Sequence, residues 1–263
     1  MTSDLGSGGA IVIIQARMTS SRLPGKVLLS LGAGTVLDCV LRRARRIPGI
    51  DGVCLAVPEG DAHQPIIDIA NNYKSVYVAR GPEADVLERY AIATRETNAR
   101  YVVRITSDCP LIDPVLSGEV LSAAVSTDAY ARTSFDTGAP LGLDTEAMPA
   151  RFLFEADAEA NDPADREHVT PYIWKRPERF GATYIDRSPD RRSWRLTLDE
   201  RPDYKLISEI YRVLGDRDPP FGFDAVEALL LAEPELLAIN RSVTHTPMPE
   251  ISEIGRGVEK DAI

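Results

Sequence analysis

The sequence predicts an α/β protein with a mostly parallel central sheet and helices on both faces. In the first half of the chain, short apolar segments rich in β-branched residues alternate with segments of helical pattern. The strands are expected at residues 10–14, 52–57, 75–79 and 101–105. Strands that alternate with helices in this way form parallel sheets. Ligands of such sheets bind beyond the carboxyl ends of the strands, so we expect the loops after these four strands to line one crevice.

The helices are predicted from their caps and their apolar spacing. Thr35 and Asp38 form a capping-box pattern, and Asp85 precedes a helix expected to run to about residue 97. Asp113 and Pro114 suit the N-cap and first position of another helix, and one more is expected over residues 64–74. The apolar stripe of the first helix comprises Val36, Leu37, Val40, Leu41, Ala44 and Ile47. Its other face carries Arg42, Arg43, Arg45 and Arg46, which we interpret as a solvated basic face.

The regular alternation ends near residue 127. Residues 129–160 are interpreted as an irregular insertion or hairpin region, because they mix short apolar runs with glycine and proline. After it we expect a short helix over 166–176, a strand over 194–198, a helix capped by Asp203 that ends near Gly215, and a helical stretch over 224–240. We therefore expect one domain over residues 10–240, with loose tails at 1–9 and 245–263.

Composition excludes several classes of function. The chain has 263 residues and a formal net charge of −10, which argues against a nucleic-acid partner. It has no apolar run long enough to span a membrane and no signal-peptide pattern, so we expect a cytoplasmic protein without a membrane partner. Cys39, Cys54 and Cys109 lie far apart and predict reduced, buried thiols.

The loop after the first strand is the strongest functional signal. Arg17, Arg22 and Lys26 are interleaved there with Thr19, Ser20, Ser21, Pro24 and Gly25. Arginine and lysine side chains and exposed backbone N–H groups all donate hydrogen bonds to phosphate oxygens. A basic loop in an acidic protein therefore indicates a small-anion site, although a solvated loop would have the same composition.

Two carboxylates follow predicted strands and are candidates for a magnesium site. Asp108 follows the strand at 101–105, and Asp199 ends the expected strand at 194–198. Mg²⁺ takes one or two carboxylates and shares phosphate oxygens of the substrate. Each aspartate alone would more simply be a turn or capping residue.

Three further groups could contact a ligand. Arg80 and Gly81 follow the third strand, where glycine would let the backbone approach a ligand closely. Asp144 and Glu146 lie in the irregular region, and a charged triplet of Arg166, Glu167 and His168 follows it. The alternatives are a turn glycine beside a surface arginine and a structural histidine. His63 and His245 have no supporting context. The sequence has no P-loop, dinucleotide-binding glycine motif, nucleophile elbow or zincin motif.

Six segments in order resemble one enzyme family. They are Q-A-R-M-T-S-S-R-L-P-G-K at 15–26, R-G-P-E-A-D-V-L-E-R-Y at 80–90, R-I-T-S-D-C-P-L-I-D-P at 104–114, G-L-D-T-E at 142–146, R-E-H-V-T-P-Y at 166–172 and R-L-T-L-D at 195–199. Together they resemble the CMP-sugar-acid cytidylyltransferases, which include the CMP-Kdo and CMP-acylneuraminate synthetases. Within that superfamily, the full series of segments resembles the spore-coat polysaccharide biosynthesis protein F branch.

The resemblance implies a Rossmann-like, three-layer nucleotidyltransferase fold related to the glycosyltransferase A fold. It implies Mg²⁺-dependent transfer of CMP from CTP to a sugar acid in polysaccharide precursor synthesis, with release of pyrophosphate. The nucleotide-binding residues it implies are Gln15, Ala16, Arg17, Ser21, Arg22, Lys26, Arg80, Gly81, Asp85 and Ser107. Among the catalytic residues it places Arg17, Arg22, Lys26 and Asp108. The metal ligands would be Asp108 and Asp199. The acceptor would face Asp144, Glu146, Arg166, Glu167 and His168. The family also makes a homodimer an option.

Another acceptor or another activity is also compatible with this sequence. A phosphonate could replace the sugar acid as acceptor. A glycosyltransferase with a nucleotide-sugar donor would be expected to carry a D-x-D-like motif, but the corresponding segment is Ser107-Asp108-Cys109. A non-catalytic relative would be expected to lack some of Lys26, Asp108 and Asp199, and all three are present.

Overall fold

A seven-stranded sheet organises the chain in the computed structural model, which describes residues 9–133 and 135–244. The strands of the chain are β1 (Ala10–Gln15), β2 (Ser30–Leu31), β3 (Gly34–Thr35), β4 (Gly52–Pro58), β5 (Val76–Gly81), β6 (Tyr101–Thr106), β7 (Ala131–Thr133), β8 (Thr145–Pro149) and β9 (Thr183–Tyr184). Their order in the large sheet is β5-β4-β1-β6-β8-β7-β9, and β2 pairs separately with β3. Strands β5, β4, β1 and β6 are mutually parallel, and β8 runs antiparallel to both β6 and β7. The predicted α/β class with a mostly parallel sheet is confirmed.

Helices cover both faces of this sheet. They are α1 (Val36–Ala44), α2 (Gln64–Ala70), α3 (Val86–Glu96), α4 (Pro114–Thr127), α5 (Ala150–Glu159), α6 (Pro163–His168), α7 (Pro171–Trp174), α8 (Pro177–Phe180), α9 (Arg201–Leu214) and α10 (Phe223–Ala232). Short 3₁₀ turns lie at Lys26–Leu28, Asp61–His63, Phe135–Thr137 and Pro234–Ala238. No helix in the described ranges is long and apolar enough to cross a membrane.

Alternation along β1 creates two cores. Val12 and Ile14 pack into one apolar cluster with residues of α1 and α4, whereas Ile11 and Ile13 pack into another with residues of α3 and α5. This follows from the geometry of a strand, in which successive side chains point to opposite faces. The result is the expected three-layer arrangement. A third cluster joins α9 and α10 to Leu196 and Leu198.

The predicted helix starts are largely confirmed. Thr35 and Asp38 form a reciprocal capping box at α1. The Asp85 carboxylate accepts from the Glu88 N–H at 2.9 Å, and Asp113 caps the helix that begins with Pro114. At α9 the N-cap lies three residues before Asp203, the residue predicted for that position. Glu200 is the N-cap and Asp203 is the third helical residue, whose side chain accepts from the Glu200 N–H at 3.0 Å.

Proline divides two of the predicted helices. The helix expected over 166–176 is two helices, because α6 ends before Val169, whose φ is 74°, and α7 begins at Pro171. A β-branched residue with positive φ cannot continue a helix, and proline lacks the N–H that helix continuation needs. The stretch expected over 224–240 is likewise divided into α10 and a 3₁₀ turn that starts at Pro234.

The strand predicted over 194–198 is wrong. Its backbone makes one isolated bridge, between Leu141 and Arg195, and does not join the sheet. The Leu196 N–H donates to the Leu141 carbonyl at 2.7 Å, and the Leu198 N–H donates to the Asp108 carbonyl at 2.8 Å. The segment pairs with two loops instead of a strand, which an apolar pattern alone cannot distinguish.

Other boundaries differ by a few residues. Helix α2 ends at Ala70 rather than near residue 74. The region 129–160 contains the antiparallel strands β7 and β8, as a hairpin prediction allows, and also the unpredicted helix α5. Of the expected tails, residues 1–8 and 245–263 lie outside the described residues, whereas the Gly9 carbonyl accepts from the Arg100 N–H at 2.8 Å. All three cysteines are buried and unpaired, as expected.

The solvated basic face predicted for α1 is wrong at Arg43. This side chain is 1% exposed and donates to the Phe221 carbonyl at 2.8 Å and to the Tyr211 hydroxyl at 3.2 Å. Its guanidinium also lies 4.4 Å from the centre of the Phe221 ring. The sequence of α1 could not indicate this, because the partners lie far away in the chain. Arg45 and Arg46 are exposed, as predicted.

Replacement of Arg43 by alanine is expected to lower the free energy of unfolding by about 2–3 kcal/mol. The substitution removes the buried guanidinium, so the Phe221 carbonyl and the Tyr211 hydroxyl lose this donor. Arg46→Ala is the matched control, since Arg46 makes an exposed ion pair with Asp218 worth less than about 1 kcal/mol. Urea denaturation of both variants measures the difference. Equal stability of the two variants would contradict the structural role of Arg43.

Candidate active site

A cavity of about 310 Å³ opens beyond the carboxyl ends of β1 and β6. Its lining residues are Gln15, Ala16, Arg17, Ser20, Ser21, Arg22, Lys26, Val86, Arg89, Arg104, Thr106, Ser107, Asp108, Glu167, His168 and Asp199. The volume lies in the range of small-molecule sites. The predicted crevice therefore exists at the loops after β1 and β6. Among the described residues, the loops after β4 and β5 do not contribute to its lining.

Lys26 lies at the centre of the candidate site. Its Nζ is 2.9 Å from an Asp108 carboxylate oxygen and 3.0 Å from an Asp199 carboxylate oxygen. It also donates to the Leu198 carbonyl at 2.8 Å. The Lys26 side chain is only 10% exposed, so the ammonium has exchanged water for these three acceptors. Asp108 and Asp199, which the sequence could not place together, thus share one cation.

The charges at this centre stabilise one another. Burial alone would lower the pKa of Lys26, but the carboxylates of Asp108 and Asp199 raise it above its usual value. Burial would raise the pKa of Asp108, but the Lys26 ammonium and the Thr106 hydroxyl lower it below its usual value. Lys26 and Asp108 are therefore both charged throughout the neutral pH range.

A second, buried ion pair fixes Asp199. The Arg195 guanidinium donates to Asp203 at 2.9 Å and to Asp199 at 2.8 Å. The Asp203 carboxylate in turn accepts from the Asp199 N–H at 3.0 Å. Arg22 approaches the outer side of the same carboxylate, with its Nη2 2.9 Å from Asp199. Asp203, predicted as a helix cap, is therefore also a support for the site.

Residues 16–26 form the loop that is predicted to bind an anion, hereafter the anion-binding loop. The Gly25 N–H donates to the Met18 carbonyl at 3.0 Å and closes the loop. Gly25 has a φ of 68°, which glycine adopts without strain. Arg17, Ser21 and Arg22 line the cavity, as predicted for residues that bind phosphate.

Three further residues for which nucleotide binding is predicted lie at strand ends beside the cavity. Gln15 is the last residue of β1, Ala16 follows it, and Ser107 follows β6. The Ser107 N–H donates to the Gln15 carbonyl at 3.2 Å, which continues the sheet pairing to the cavity edge.

Arg80, Gly81 and Asp85 lie outside the cavity lining. The Arg80 guanidinium donates to the Gly60 carbonyl at 2.7 Å. A Cβ on Gly81 would lie 2.9 Å from Ile92 and 3.0 Å from Arg89, so glycine is needed there for packing against α3. Asp85 caps α3 and pairs with Arg166.

Two residues of the charged triplet line the cavity and the third does not. Glu167 and His168 line the cavity, whereas Arg166 pairs with Asp85 and Asp157. Burial lowers the pKa of His168 below its usual value, so its imidazole is neutral at pH 7 and can accept a proton.

Asp144 and Glu146 lie behind the cavity wall. Glu146 pairs with Arg104 at 2.5 Å and accepts hydrogen bonds from Tyr130 and Thr170. Burial alone would raise the pKa of Glu146, but Arg104, Thr170 and Tyr130 hold that pKa below its usual value. The Asp144 carboxylate accepts from the Gly142 N–H at 2.8 Å, and burial raises its pKa to about 6. Both acids have partners within the protein, and neither is among the lining residues.

Sequence reasoning missed several lining residues. They are Val86, Arg89, Arg104 and Thr106. Arg104 carried a recognisable signal, because it is a charged residue inside an otherwise buried strand. Its Nη1 pairs with Glu146, its Nη2 has only a 3.4 Å contact with Gln15, and its Nε has no hydrogen-bond partner among the described residues. Arg104 thus brings donor capacity to the cavity floor.

The electrostatics of the cavity favour an anion. Its lining includes five cationic side chains, on Arg17, Arg22, Lys26, Arg89 and Arg104, against three acidic ones, on Asp108, Glu167 and Asp199. In a chain with a net charge of −10 this is a local reversal of sign. Basic groups around a concave site concentrate anionic ligands there.

The donor set is compatible with a magnesium ion. No group of three or more metal-ligating side chains occurs in the described part of the chain. Mg²⁺ does not require one, because it uses one or two carboxylates and completes its shell with water and phosphate oxygens. Asp108 and Asp199 already converge on a single cation, the Lys26 ammonium, inside an anion-attracting cavity.

Known proteins that are similar to this chain include cytidylyltransferases. The family model described as cytidylyltransferase matches residues 11–208. The chain is 32% identical over 214 residues to the spore coat polysaccharide biosynthesis protein SpsF of Bacillus subtilis, covering 79% of this chain and 88% of that protein. A cytidylyltransferase structure from Leptospira borgpetersenii has a TM-score of 0.82 and 27% identity, covering 90% of this chain and all of that one.

A more distant structure supports the fold alone. It is CMP-2-keto-3-deoxy-manno-octonic acid synthetase complexed with CTP, with a TM-score of 0.60 and 15% identity over 78% of this chain and 99% of that one. The nucleotidyltransferase fold expected from the sequence is thereby confirmed. The chain belongs to the cytidylyltransferase family and is a nucleotidyltransferase.

Proposed function

We propose that this cytidylyltransferase transfers CMP from CTP to a sugar acid, with Mg²⁺ as cofactor and pyrophosphate as the second product. The observation that carries the proposal is the Lys26 centre, where Asp108 and Asp199 share one cation at the edge of a basic cavity. The name of the SpsF relative supports a role in the synthesis of a polysaccharide precursor.

The chemistry requires positioning and charge neutralisation more than covalent catalysis. A hydroxyl of the acceptor attacks the α-phosphorus of CTP, and the bond to the pyrophosphate oxygen breaks. Negative charge accumulates on the phosphate oxygens and on the leaving pyrophosphate. In our proposal Arg17, Ser21 and Arg22 bind these oxygens and stabilise that charge. Lys26 joins them when its ammonium gives up a bond to Asp108 or Asp199, since all three of its donors are used in this structure.

Asp108 and Asp199 would hold the magnesium ion. When bound there, the ion would supply charge neutralisation at the α-phosphate oxygens. Arg195 and Asp203 keep Asp199 in position through their buried ion pair.

The acceptor would bind at the wall formed by Glu167 and His168. The neutral imidazole of His168 is suited to receive the proton of the attacking hydroxyl. Arg104, with its partly unused guanidinium, is placed to contact the acid group of the acceptor. Asp144, Glu146 and Arg166 would then act indirectly, by packing behind this wall.

The proposal can be tested by ligand stabilisation followed by product analysis. Thermal unfolding is measured with CTP, UTP, ATP and GTP, each with and without Mg²⁺. A ligand at 100 times its Kd adds about 2.7 kcal/mol to stability. We expect selective, Mg²⁺-dependent stabilisation by CTP, and then pyrophosphate release when sugar acids are added.

Other outcomes would identify other activities. Stabilisation by a nucleotide-sugar but by no triphosphate would contradict the proposal and favour a glycosyltransferase. Pyrophosphate release with a phosphonate, but with no sugar acid, would retain the CMP transfer and replace the acceptor class.

Asp108→Asn is expected to lower kcat by about 100-fold or more while the fold is retained, because it removes a charge that holds the metal at the reacting phosphate. Asp190→Asn is the control, since Asp190 is an exposed acid paired with Arg192. Initial rates of pyrophosphate release and circular dichroism spectra are compared. Turnover near the wild-type level in Asp108→Asn would refute the metal assignment.

Arg22→Ala is expected to raise the Kd for CTP by about 10- to 100-fold, the value of one or two charge-assisted hydrogen bonds. Arg22 is half exposed, so its loss should leave folding intact. Arg192→Ala removes a similarly exposed arginine away from the cavity and should leave the Kd unchanged. Isothermal titration calorimetry gives both values, and an unaltered Kd for Arg22→Ala would exclude Arg22 from the phosphate site.

A further inference from the structure

His63, which had no supporting context in the sequence, lies against the anion-binding loop. It ends the 3₁₀ turn Asp61–His63 that follows β4 and is 2% exposed. Its Nδ1 accepts a hydrogen bond from the backbone N–H of Met18 at 3.2 Å. The two residues are 45 positions apart, so this contact joins the loop after β1 to the turn after β4.

Met18 is the point at which the anion-binding loop closes. Its carbonyl accepts from the Gly25 N–H, and its N–H donates to His63. Arg17, which precedes it, lines the cavity, and so do Ser20, Ser21 and Arg22, which follow within the closed loop. The position of the Met18 peptide therefore sets the direction of the phosphate-facing residues on both sides.

The contact requires a neutral imidazole. A neutral histidine has one acceptor nitrogen, whereas both ring nitrogens of a protonated histidine are donors. A proton on Nδ1 would face the Met18 N–H, and the hydrogen bond would be replaced by a repulsive contact between two donors.

The surroundings of His63 determine when it takes up this proton. Burial lowers its pKa below the usual value, and the cations Arg17, Arg80 and Arg89 act in the same direction. Glu83 acts in the opposite direction. Because the pKa is lowered, the contribution of His63 to stability is complete above the pKa of an unfolded histidine and is lost as the pH falls through the folded value.

A second contact joins the loop to a neighbouring turn. The Thr19 hydroxyl donates to the Glu83 carboxylate, which lies just after β5. Arg80 supports the turn that carries His63, through its hydrogen bond to the Gly60 carbonyl. The loops after β4 and β5 therefore contribute to the site indirectly, by holding the anion-binding loop from behind.

We propose that His63 is a positioning residue for the anion-binding loop: its neutral imidazole fixes the Met18 peptide and keeps Arg17 and Ser20–Arg22 arranged for a triphosphate. Protonation of His63 releases the loop and weakens anion binding. The inference rests on the proposed function only for the identity of the ligand.

Three proteins test the inference: wild type, His63→Asn and His63→Leu. Asparagine places an amide oxygen near the position of Nδ1 and cannot be protonated, whereas leucine leaves the Met18 N–H without an acceptor. The Kd for CTP and for inorganic tripolyphosphate is measured between pH 5 and pH 8. Because the phosphates and other groups of the cavity can also change protonation with pH, each variant is compared with wild type at the same pH.

We expect His63→Asn to match wild type at pH 8 and to bind more tightly than wild type as the pH falls through the pKa of His63, by up to about 5- to 10-fold, the effect of one hydrogen bond. His63→Leu should bind more weakly than wild type at pH 8 by a similar factor. A pH profile of His63→Asn that is identical to that of wild type would overturn the inference. If His63→Leu fails to fold, the comparison with His63→Asn still decides.

The chemical shift of the Met18 amide gives a readout that does not depend on CTP. In wild type it should change with a midpoint equal to the pKa of His63, and in His63→Asn that transition should be absent. A Met18 amide chemical shift that does not change as His63 titrates would overturn the inference. If no triphosphate binds at any pH but the amide follows His63, the proposed function fails and the positioning role is retained.

Discussion

The arrangement of the site depends on one buried ammonium group. Lys26 Nζ bonds to Asp108, Asp199 and the Leu198 carbonyl, which are 82, 173 and 172 residues away in the chain. Burial of a charge is costly unless it is paired and hydrogen-bonded, so this position is stable only when all three segments meet. The anion-binding loop, the end of β6 and the segment before α9 are thereby held around one cavity.

The rest of the fold holds these three segments together around the cavity. Parallel strands bring the loops after β1 and β6 to the same edge, and two apolar layers keep those strands in register. The segment that carries Asp199 is not a strand, so its position comes from hydrogen bonds to the loops at Leu141 and Asp108 and from the pair of Arg195 with Asp203. The local excess of positive charge in an acidic protein then makes the cavity suited to a phosphorylated ligand.

The sequence predicted most of what is encoded locally. Strand patterns and the caps at Thr35 and Asp85 depend on neighbours within a few residues, and these predictions were confirmed. The basic loop lines the cavity, and its role in binding an anion stays a prediction. What failed depends on distant partners. The burial of Arg43 requires Phe221, the true pairing of residues 194–198 requires loops at 141 and 108, and the contact of His63 requires Met18. No periodicity in one segment reports such contacts.

In the proposed site, Asp108 and Asp199 form a single cation centre beside the anion-binding loop. A crystal structure with CTP and Mn²⁺, recorded at a wavelength where manganese scatters anomalously, tests it most directly. We expect an anomalous peak within coordination distance of both carboxylates, with the phosphates of CTP against Arg17 and Arg22. A peak coordinated by neither aspartate, or a nucleotide bound away from the anion-binding loop, would contradict it.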